Sequence, residues 1–378
     1  MRILGVGNAR SVIFLRWAWR LLERGHSVVV VSDRFSEHPE EVDGLDVFDI
    51  RRLEPLTLVP GMRRLRFGAA LNRLARRLRV DVVHGHYLLP YGYWASLVDA
   101  VPLVVSPWGT DILVDTLEPG RDRRRAELAI TLADLVVVNS AVSAARSREL
   151  GADPDRIEQI IWYADLERFR PDRFDPLFRA RFGWPDDALV LLSLRNFRPD
   201  TNIDLIVRAF RQVADREPRA RLLLAARSGP LRAEVDALVE RLQLRPLVAF
   251  SSVGEAELPS VVASADLVVA MTRSDSTPAS LLEAMASGLP AVCARASSLD
   301  EWLEQGRGGL YVGQADVDGL ARAVLELLAD PERRRRYGEY NRRVVADRVE
   351  PAGPALEQVY ERLLERDSRV VDTGGRTL

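Results

Sequence analysis

The sequence contains no lysine, so all 53 of its basic residues are arginines. A pyridoxal-phosphate enzyme needs a lysine for its Schiff base, and a P-loop needs a lysine on the phosphates. Both classes of protein are therefore excluded, and no pyridoxal-phosphate cofactor is expected. Any anionic ligand must be bound by arginine side chains or by backbone N–H groups.

Cysteine occurs once, at Cys293 in the apolar segment LPAVCA, so no internal disulfide can form. We interpret Cys293 as a small buried hydrophobic residue, with a reactive nucleophile as the alternative. Runs of about 18 apolar residues are also missing, which predicts that no helix spans a membrane. The N-terminal segment MRILGVGNARSVIFLRW lacks the charged leader, apolar core and cleavage site of a signal peptide, so we expect a cytoplasmic protein.

The sequence also has almost no excess of one charge over the other, because the formal net charge is only −2 over 378 residues. A nucleic-acid-binding domain is strongly basic, so we expect no nucleic-acid partner. The content of 47% hydrophobic and 29% charged residues is typical of a globular protein. The length exceeds what one hydrophobic core usually serves, which predicts two domains.

Apolar, β-branched runs recur along the chain and alternate with amphipathic segments. Continuous rather than alternating hydrophobicity is typical of strands covered on both faces, as in a parallel sheet between helices. The pattern predicts an α/β fold class with doubly wound, Rossmann-like sheets. The strand candidates are 27–32, 80–86, 102–108, 134–140, 188–194, 221–227, 266–272 and 289–295.

The series of strands restarts after a passage rich in Pro, Arg and Asp over 166–187. We therefore predict two domains, 1–168 and 169–351, that face each other across a central cleft, with one large sheet as the alternative. A helix over 352–366 is expected to join the first domain, and 367–378 is expected to be a flexible tail. Ligands of open α/β sheets bind beyond the carboxyl ends of the strands, so the loops there are the candidate sites.

One helix is tightly delimited in the segment TRSDSTPASLLEAMASGLP. Thr277 is a suitable N-cap, and Pro278 fits the first helical position, where a missing N–H costs nothing. The N–H groups of Ala279 and Ser280 then lack intrahelical partners and, with the helix dipole, form an anion site. Gly288 is expected to end the helix.

Two carboxylates accompany this helix. Asp275 precedes it, and Glu283 lies on its second turn among apolar residues, where a carboxylate needs a hydrogen-bonding partner. Both acids could contact one extended ligand. The alternative is a capped core helix with an ordinary exposed acid.

This stretch resembles the signature of the retaining glycosyltransferases of family 4, which have the two-domain GT-B fold. The family pattern is an acid, seven residues, a glutamate and then Ala-Met-Ala-x-Gly-x-Pro. The resemblance implies that Glu283 binds the nucleotide ribose and that Asp275 faces the donor sugar as a catalytic residue. It also implies that the helix start, 277–280, binds the donor diphosphate. The first acid of the family is usually Glu, so Asp275 is one methylene shorter.

The segment GVGNARSVIFLRWAWRLLERG resembles the first strand, loop and helix of the same family. Gly5 and Gly7 form only G-x-G, with Arg10 in place of a third glycine, so the dinucleotide fingerprint fails. The resemblance implies that Gly7 lies near the donor phosphates and that Asn8 and Arg10 face the acceptor. A plain tight turn is the alternative. Ile13 stands where family members often carry His.

The segments DVVHGHYLLPYGYW and SPWGTDIL resemble two acceptor-domain loops of the family. The resemblance implies that His86 and Asp111 are catalytic residues near the transferred sugar, and that His84 and Trp108 contact the acceptor. The alternative is hydrogen bonding that shapes a loop. His84 and His86 share one strand face, but no third ligand is nearby, so we predict no metal site.

The segment SLRNFRPDTNIDLIVRAF resembles the start of the donor-binding domain. Family members place an Arg and then a Lys on the donor phosphates, which implies that Arg195 or Arg198 fills the first role. Thr201 stands in the place of the lysine and cannot neutralise phosphate. Arg227 and Arg273 are neighbouring arginines that could compensate; otherwise the site is weakened.

The resemblance as a whole implies a retaining glycosyltransferase that moves a sugar from a nucleotide-diphosphate sugar to an acceptor hydroxyl. It implies no cofactor and no metal, since the departing diphosphate assists the deprotonation of the acceptor. The acceptor stays open among glycan, lipid and small molecule. Two alternatives are a degenerate glycosyltransferase acting as a binding partner, motivated by Thr201 and Ile13, and a GT-B nucleotide-sugar epimerase.

The segment 62–80, MRRLRFGAALNRLARRLRV, is predicted to be an Arg-rich amphipathic helix. Such a helix could contact an anionic membrane surface, which would make the protein peripheral at the inner membrane face. A solvated helix face is the more frequent explanation of such a run of charge.

Overall fold

The structure of the protein is a computed structural model that describes part of the chain. The described residues are 1–35, 42, 44–53, 60–161, 164–226, 229–296, 298–349 and 352–374. The chain divides into two compact units. Unit 1 comprises 1–163 with 350–378, and unit 2 comprises 164–349. The sequence-based boundaries were 168/169 and 351/352.

Parallel strands form the centre of each unit. Unit 1 contains β1 (Arg2–Val6), β2 (Ser27–Ser32), β3 (Asp46–Asp49), β4 (Val82–His86), β5 (Leu103–Ser106), β6 (Leu135–Val138) and β7 (Ile157–Gln159). Unit 2 contains β8 (Leu189–Ser193), β9 (Ala220–Ala225), β10 (Val248–Ser251), β11 (Leu267–Ala270), β12 (Ala291–Ala294) and β13 (Gly309–Val312).

Helices connect most of these strands. Those of unit 1 are α1 (Val12–Glu23), α2 (Pro60–Leu78), α3 (Tyr93–Ala95), α4 (Thr110–Leu113), α5 (Arg121–Leu132), α6 (Ala141–Glu149) and α13 (Ala352–Gly374). Those of unit 2 are α7 (Ile203–Ala214), α8 (Arg232–Arg241), α9 (Leu258–Ala263), α10 (Ala279–Ala286), α11 (Val317–Leu328) and α12 (Pro331–Arg348).

The two sheets have the topology of doubly wound folds. Their strand orders are β3-β2-β1-β4-β5-β6-β7 in unit 1 and β10-β9-β8-β11-β12-β13 in unit 2. Every paired strand runs parallel to its neighbour in both sheets. The predicted α/β fold class is therefore confirmed, and each predicted strand segment overlaps an observed strand.

The strand order reverses once in each sheet, between β1 and β4 in unit 1 and between β8 and β11 in unit 2. At such a switch point the loops at the carboxyl ends diverge to opposite faces and leave a crevice for ligands. In unit 2 the residues after β8 and β11 are therefore the ones to examine first. In unit 1 they are the residues after β1 and β4.

Helix α13 returns to unit 1 and packs against α1. Nε1 of Trp17 donates a 2.9 Å hydrogen bond to the phenol oxygen of Tyr360, and both side chains are fully buried. Glu357 forms an ion pair with Arg24, and the Nε2 atom of His26 lies 3.1 Å from the same carboxylate. These contacts explain why a helix after unit 2 belongs to unit 1.

The end of α13 differs from the prediction of a flexible tail over 367–378. The helix continues to Gly374 rather than ending at residue 366. The sequence DSRVVDT contains neither proline nor glycine, so nothing in it stops the helix before Gly374. The remaining residues, 375–378, lie outside the described part of the chain.

Helix α2 covers most of the predicted segment 62–80. Phe67, Leu71 and Ala75 are buried in the core of unit 1, at the spacing of one helix face. Arg73 and Arg76 are exposed. This pattern is the one expected of a surface helix, and contact with a membrane stays a prediction.

Helix α12 packs tightly against the end of α10. A Cβ atom added to Gly338 would lie 1.8 Å from the carbonyl oxygen of Gly288, so only glycine fits there. Gly288 has φ of +78° directly after the C-cap of α10, a backbone conformation that favours glycine. The close approach of these two glycines fixes the position of α10.

Candidate functional site

Helix α10 begins at Ala279, and Pro278 is its N-cap with φ −74° and ψ 104°. The N–H groups of Leu281 and Leu282 donate to the Pro278 carbonyl at 3.0 and 3.1 Å. The prediction of Thr277 as N-cap and Pro278 as first helical residue is therefore wrong by one position. The reason is that the fixed φ of proline suits both positions, and here its ψ is extended.

The shift does not remove the anion site at this helix. The N–H groups of Ala279 and Ser280 precede the first intrahelical donor, Leu281. They lie at the positive end of the helix dipole, where backbone N–H groups favour phosphate or carboxylate. Because proline has no N–H, the N-cap itself contributes only its carbonyl.

Glu283 lies on the second turn of α10 and is only 4% exposed. Its neighbours Leu282 and Ala284 are completely buried. A carboxylate is costly in such surroundings unless hydrogen bonds compensate its charge. This placement is unusual for a residue that only solubilises a helix.

Arg195 and Asp275 form an ion pair at the switch point of the unit 2 sheet. Nη2 of Arg195 contacts Oδ2 of Asp275, and Nε of Arg195 donates to Oγ1 of Thr272 at 3.0 Å. Arg195 follows β8 and Asp275 follows β11, so adjacent strands present the two charges. Their side chains are only 17% and 18% exposed.

The two residues of this ion pair line a pocket of unit 2. Arg195, Thr272, Asp275, Pro278 and Ser280 are among the residues that line it. One small cavity thus contains a guanidinium, a carboxylate and the start of α10. The backbone of the loop is held in place because Oγ of Ser298, beyond the pocket, donates to the Asp275 carbonyl at 2.8 Å.

Arg198 and Thr201 shape the loop after β8. Nε of Arg198 contacts the Asp200 carboxylate at 2.9 Å, and the Arg198 side chain is 52% exposed. The Thr201 hydroxyl lies 2.8 Å from the carbonyl oxygens of Asn196 and of Arg198. Its one hydrogen is therefore used inside the turn, which makes a structural role the observed one.

The neighbouring arginines give less support to a second phosphate ligand. Nε of Arg273 donates to Oδ1 of Asn202 at 3.2 Å, and Arg273 is exposed. Arg227 lies outside the described residues. Arg195 is thus the arginine that the described part of unit 2 places against the start of α10.

In unit 1, His84 is completely buried and hydrogen-bonded through both ring nitrogens. Nδ1 lies 2.5 Å from the Tyr360 phenol oxygen, and Nε2 lies 2.7 Å from Oγ of Ser106. The phenol oxygen already accepts from Trp17, so its hydrogen is available for Nδ1 and the proton of His84 is on Nε2. Burial lowers the pKa of His84 to about 3, so the ring is neutral.

His86 is 1% exposed, and neither ring nitrogen has a hydrogen-bond partner in the described structure. Its ring centroid lies 3.9 Å from that of His84 and 4.3 Å from that of Trp17. Burial lowers the pKa of His86 well below its usual value, and the neighbouring His84 adds to the shift. A buried polar group without a partner calls for an explanation, and a substrate hydroxyl is one.

Asp111 is fully buried and organises the loop before α4. Its carboxylate accepts hydrogen bonds from the backbone N–H groups of Leu88 at 2.6 Å, Gly109 at 2.7 Å and Trp108 at 3.1 Å. Burial raises its pKa to about 6 in spite of these donors. The observed contacts are those of the loop-shaping alternative.

Trp108 is half-buried, and its ring meets His86 edge to face at 5.7 Å. Asn8 is partly exposed after β1, and its Oδ1 accepts a 3.0 Å hydrogen bond from the N–H of Arg10. Arg10 is exposed. Asn8 and Arg10 thus follow β1, and Trp108 follows β5, while His84 and His86 lie in β4 of the same sheet.

Gly5 and Gly7 have a packing explanation. A Cβ atom at Gly7 would lie 2.8 Å from the Phe14 ring, and one at Gly5 would lie 2.5 Å from the Trp17 ring. Both glycines let α1 approach β1 closely. The geometry gives Gly7 a role in packing, and its contact with a donor stays a prediction.

Cys293 is completely buried in β12, and burial raises the pKa of its thiol to about 12. A thiol that stays protonated is a poor nucleophile, so the interpretation as a buried hydrophobic residue holds. In the described residues no group of three or more His, Cys, Asp or Glu side chains is arranged to hold a metal ion. No described helix has the length and apolar character needed to cross a membrane.

Sequence comparison agrees with this geometry along most of the chain. A family model described as Glycosyltransferase Family 4 matches residues 11–168, and one described as Glycosyl transferases group 1 matches residues 175–344. The D-inositol 3-phosphate glycosyltransferase of Kineococcus radiotolerans is 31% identical over 376 residues, which cover 88% of this chain and 86% of that protein. The chain belongs to glycosyltransferase family 4.

Other relatives extend the picture of this family 4 glycosyltransferase. N-acetyl-alpha-D-glucosaminyl L-malate synthase of Bacillus anthracis is 27% identical over 310 residues, 80% of each chain. Alignments with four further D-inositol 3-phosphate glycosyltransferases span only 59–65% of their lengths. The solved structure of Anabaena Alr3699/HepE in complex with UDP-glucose has a TM-score of 0.75 at 20% identity and covers 98% of this chain and all of that one. That likeness shows the GT-B fold.

Some residues at these sites were not found by sequence reasoning. Thr272 holds Arg195, and Ser298 holds the Asp275 backbone. Tyr360 and Ser106 fix the ring of His84. Thr272 is the last residue of the predicted strand 266–272 and was open to inspection, whereas no sequence signal connects Tyr360 with His84.

Proposed function

We propose that this glycosyltransferase moves a sugar from a nucleotide-diphosphate sugar to an acceptor hydroxyl, with retention of the anomeric configuration and without a metal ion. The observation that carries the proposal is the pocket where Arg195, Asp275 and the start of α10 meet. It combines a cation with free backbone N–H groups at a topological switch point. Such a combination suits a diphosphate.

The diphosphate is assigned to Arg195 and to the N–H groups of Ala279 and Ser280. A guanidinium has five N–H donors, and two of those of Arg195 contact Thr272 and Asp275. The remaining donors suit phosphate oxygens. With no lysine in the chain, arginine and backbone N–H groups must supply the positive potential that a metal supplies in other transferases.

Glu283 is assigned to the nucleotide ribose. A buried carboxylate near the phosphate site would be repelled by the diphosphate itself, but it can accept hydrogen bonds from two ribose hydroxyls. Asp275 is assigned to the side of the donor sugar. Its shorter side chain, compared with the usual Glu of the family, changes which sugar hydroxyls it can reach.

His86 is assigned to the transferred sugar, because its buried ring nitrogens lack protein partners in the described structure. A neutral imidazole can donate from one nitrogen and accept at the other. Asp111 holds the neighbouring loop, and His84, Trp108, Asn8 and Arg10 remain proposed acceptor residues. The acceptor class is left open among glycan, lipid and small molecule.

The proposed transfer with retention needs no protein nucleophile. As the bond from the anomeric carbon to the diphosphate breaks, negative charge grows on the phosphate oxygen, where Arg195 and the α10 N–H groups stabilise it. That oxygen takes the proton of the acceptor hydroxyl, which attacks on the same face of the sugar. The protein positions the reactants and stabilises charge.

The first test is a thermal-shift panel of UDP-, GDP-, ADP- and dTDP-sugars in the presence of EDTA. A donor at 100 times its dissociation constant stabilises the protein by about 2.7 kcal/mol, which a melting curve detects. NMR of the product then gives the anomeric configuration. No shift with any donor would favour a degenerate binding protein, and donor conversion without acceptor would indicate an epimerase.

The second test is Glu283→Ala, with exposed Glu234→Ala as the matched control. We expect the Glu283 variant to lose transfer and donor binding while retaining its circular dichroism spectrum. The control should behave as the unmodified protein. Full activity of the Glu283 variant would overturn the assignment of the ribose site.

A further inference from the structure

The guanidinium of Arg195 is mostly buried and carries a permanent charge. With 17% of the side chain exposed, water cannot solvate it fully, so a counterion is needed. Asp275 supplies that counterion, and Thr272 fixes the Nε side of the group. In the described structure, Arg195, to which the donor phosphate is assigned, is therefore already paired with a counterion.

The backbone around Asp275 holds its side chain next to Arg195. The loop that carries it is anchored by the 2.8 Å hydrogen bond from Ser298 to the Asp275 carbonyl. Only the side chain of Asp275 needs to rotate for the carboxylate to leave the guanidinium. The ion pair can then open without moving the backbone of the pocket.

We propose that Asp275 is a displaceable counterion of Arg195. It holds the guanidinium in place when the site is empty, yields it to the donor diphosphate, and recaptures it when the nucleoside diphosphate leaves. This inference rests on the proposed function and refines the role of one residue in it. Asp275 then acts through Arg195 as a positioning residue, besides facing the sugar.

The physical reason is competition between two anions for one cation. In the empty site Arg195 and Asp275 are neutral as a pair, so a diphosphate gains less than it would from an isolated guanidinium. This competition weakens the binding of the nucleoside diphosphate and favours its release after transfer.

The decisive variant is Asp275→Asn, which keeps the size and one acceptor oxygen but removes the charge. UDP, GDP, ADP and dTDP are titrated by calorimetry against the full chain without any sugar attached. For the nucleotide that binds, we expect the variant to bind it about tenfold more tightly than the unmodified protein. Product inhibition by the same nucleotide should increase by a similar factor.

The effect must depend on Arg195. In the Arg195→Ala background, Asp275→Asn is expected to change the affinity by less than about threefold, because the shared cation is gone. Asp275→Glu keeps the charge and is expected to retain the affinity of the unmodified protein. Melting temperatures of all variants verify that each is folded.

A matched control removes the same charge elsewhere in unit 2. Arg179 and Asp266 form an ion pair at 2.9 Å with side chains 17% and 20% exposed. Asp266 precedes β11, whereas Asp275 follows it, so the control pair lies at the amino end of this strand and the candidate site at its carboxyl end. Asp266→Asn is expected to leave nucleotide affinity unchanged.

Three results would overturn the inference. Unchanged or weaker nucleotide binding by Asp275→Asn would make Asp275 a ligand of the sugar or a structural residue only. An equal gain in the Arg195→Ala background would show that the charge acts directly on the phosphate. If the unmodified protein binds none of the four nucleotides, the proposed function fails together with the inference.

Discussion

The phenol oxygen of Tyr360 lies 2.5 Å from Nδ1 of His84, and 276 residues separate the two in the chain. The same oxygen accepts a hydrogen bond from Trp17. Helix α13 thereby fixes the ring on which His86 stacks. The Tyr360 hydroxyl group therefore links helix α13 to both Trp17 and His84.

Tyr360→Phe is expected to lower the free energy of unfolding by about 2–4 kcal/mol, because Trp17 Nε1 and His84 Nδ1 both lose a buried partner. Urea denaturation followed by tryptophan fluorescence measures the change. Tyr340→Phe is the control, since that hydroxyl contacts an exposed Glu304 and its loss should cost below about 0.5 kcal/mol. Equal losses in both variants would contradict the buried hydrogen-bond chain.

His86→Phe is expected to separate stability from activity. The ring stays aromatic among Phe14, Trp17 and Trp108, and two unpartnered nitrogen atoms disappear. We expect the variant to be more stable by about 1–2 kcal/mol at pH 7.5. Transfer should fall by at least about a hundredfold if His86 contacts the sugar. A fully active variant would remove His86 from the site.

The pH dependence of the free energy of unfolding should reveal the lowered pKa values of the two buried histidines, His84 and His86. Their pKa values are lowered on folding, to about 3 for His84, whereas the unfolded value is about 6.5. The unfolded chain therefore binds more protons between these values. The free energy of unfolding is therefore highest above pH 6.5. It decreases as pH falls, by up to about 1.4 kcal/mol per pH unit for each histidine.

The measurement is urea unfolding at pH 7.5, 6.0 and 5.0 for the unmodified protein and for His86→Phe. The other titratable groups ionise equally in both proteins. The difference between the two free energies of unfolding therefore isolates His86. The stability advantage of the variant should grow as pH falls. A constant difference would mean that His86 is not held neutral by burial.

Gly338→Ala is expected to destabilise unit 2 by more than about 3 kcal/mol, because its Cβ would collide with the Gly288 carbonyl. The collision should displace α10 and weaken donor binding as well, which a thermal-shift titration measures. Gly306→Ala is the control. Gly306 has φ of +78°, and no atom lies within 4 Å of the added Cβ, so only the backbone strain, a cost of about 1 kcal/mol, is expected.

Hydrophobic runs were sufficient to predict the fold class and the positions of the main strands. Strands buried on both faces have a continuous apolar pattern, which residue types alone reveal. The start of α10 was placed one residue early, because Thr277 and Pro278 form a good capping pair by residue type. Which of two adjacent residues becomes the N-cap depends on a single ψ angle, and residue types do not determine it.

The candidate site was predicted as a set of residues but not as a set of contacts. Arg195 and Asp275 were each assigned to the donor, yet their ion pair depends on which strands are neighbours in the sheet. Asp111 and Thr201 were assigned to ligands and are observed bonded to backbone groups. Tyr360 escaped notice because its partner lies at the other end of the chain.

Unit 1 is built from two separate parts of the chain, and the 186 residues of unit 2, 164–349, lie between them. On the ribosome, Trp17 and His84 are therefore synthesised long before Tyr360, and neither can form its hydrogen bond with Tyr360 until unit 2 has been made. Unit 1 can thus be completed only after unit 2 has been translated. The order of synthesis therefore makes the hydrogen bonds of Tyr360 with Trp17 and His84 contacts that only the completed chain can form.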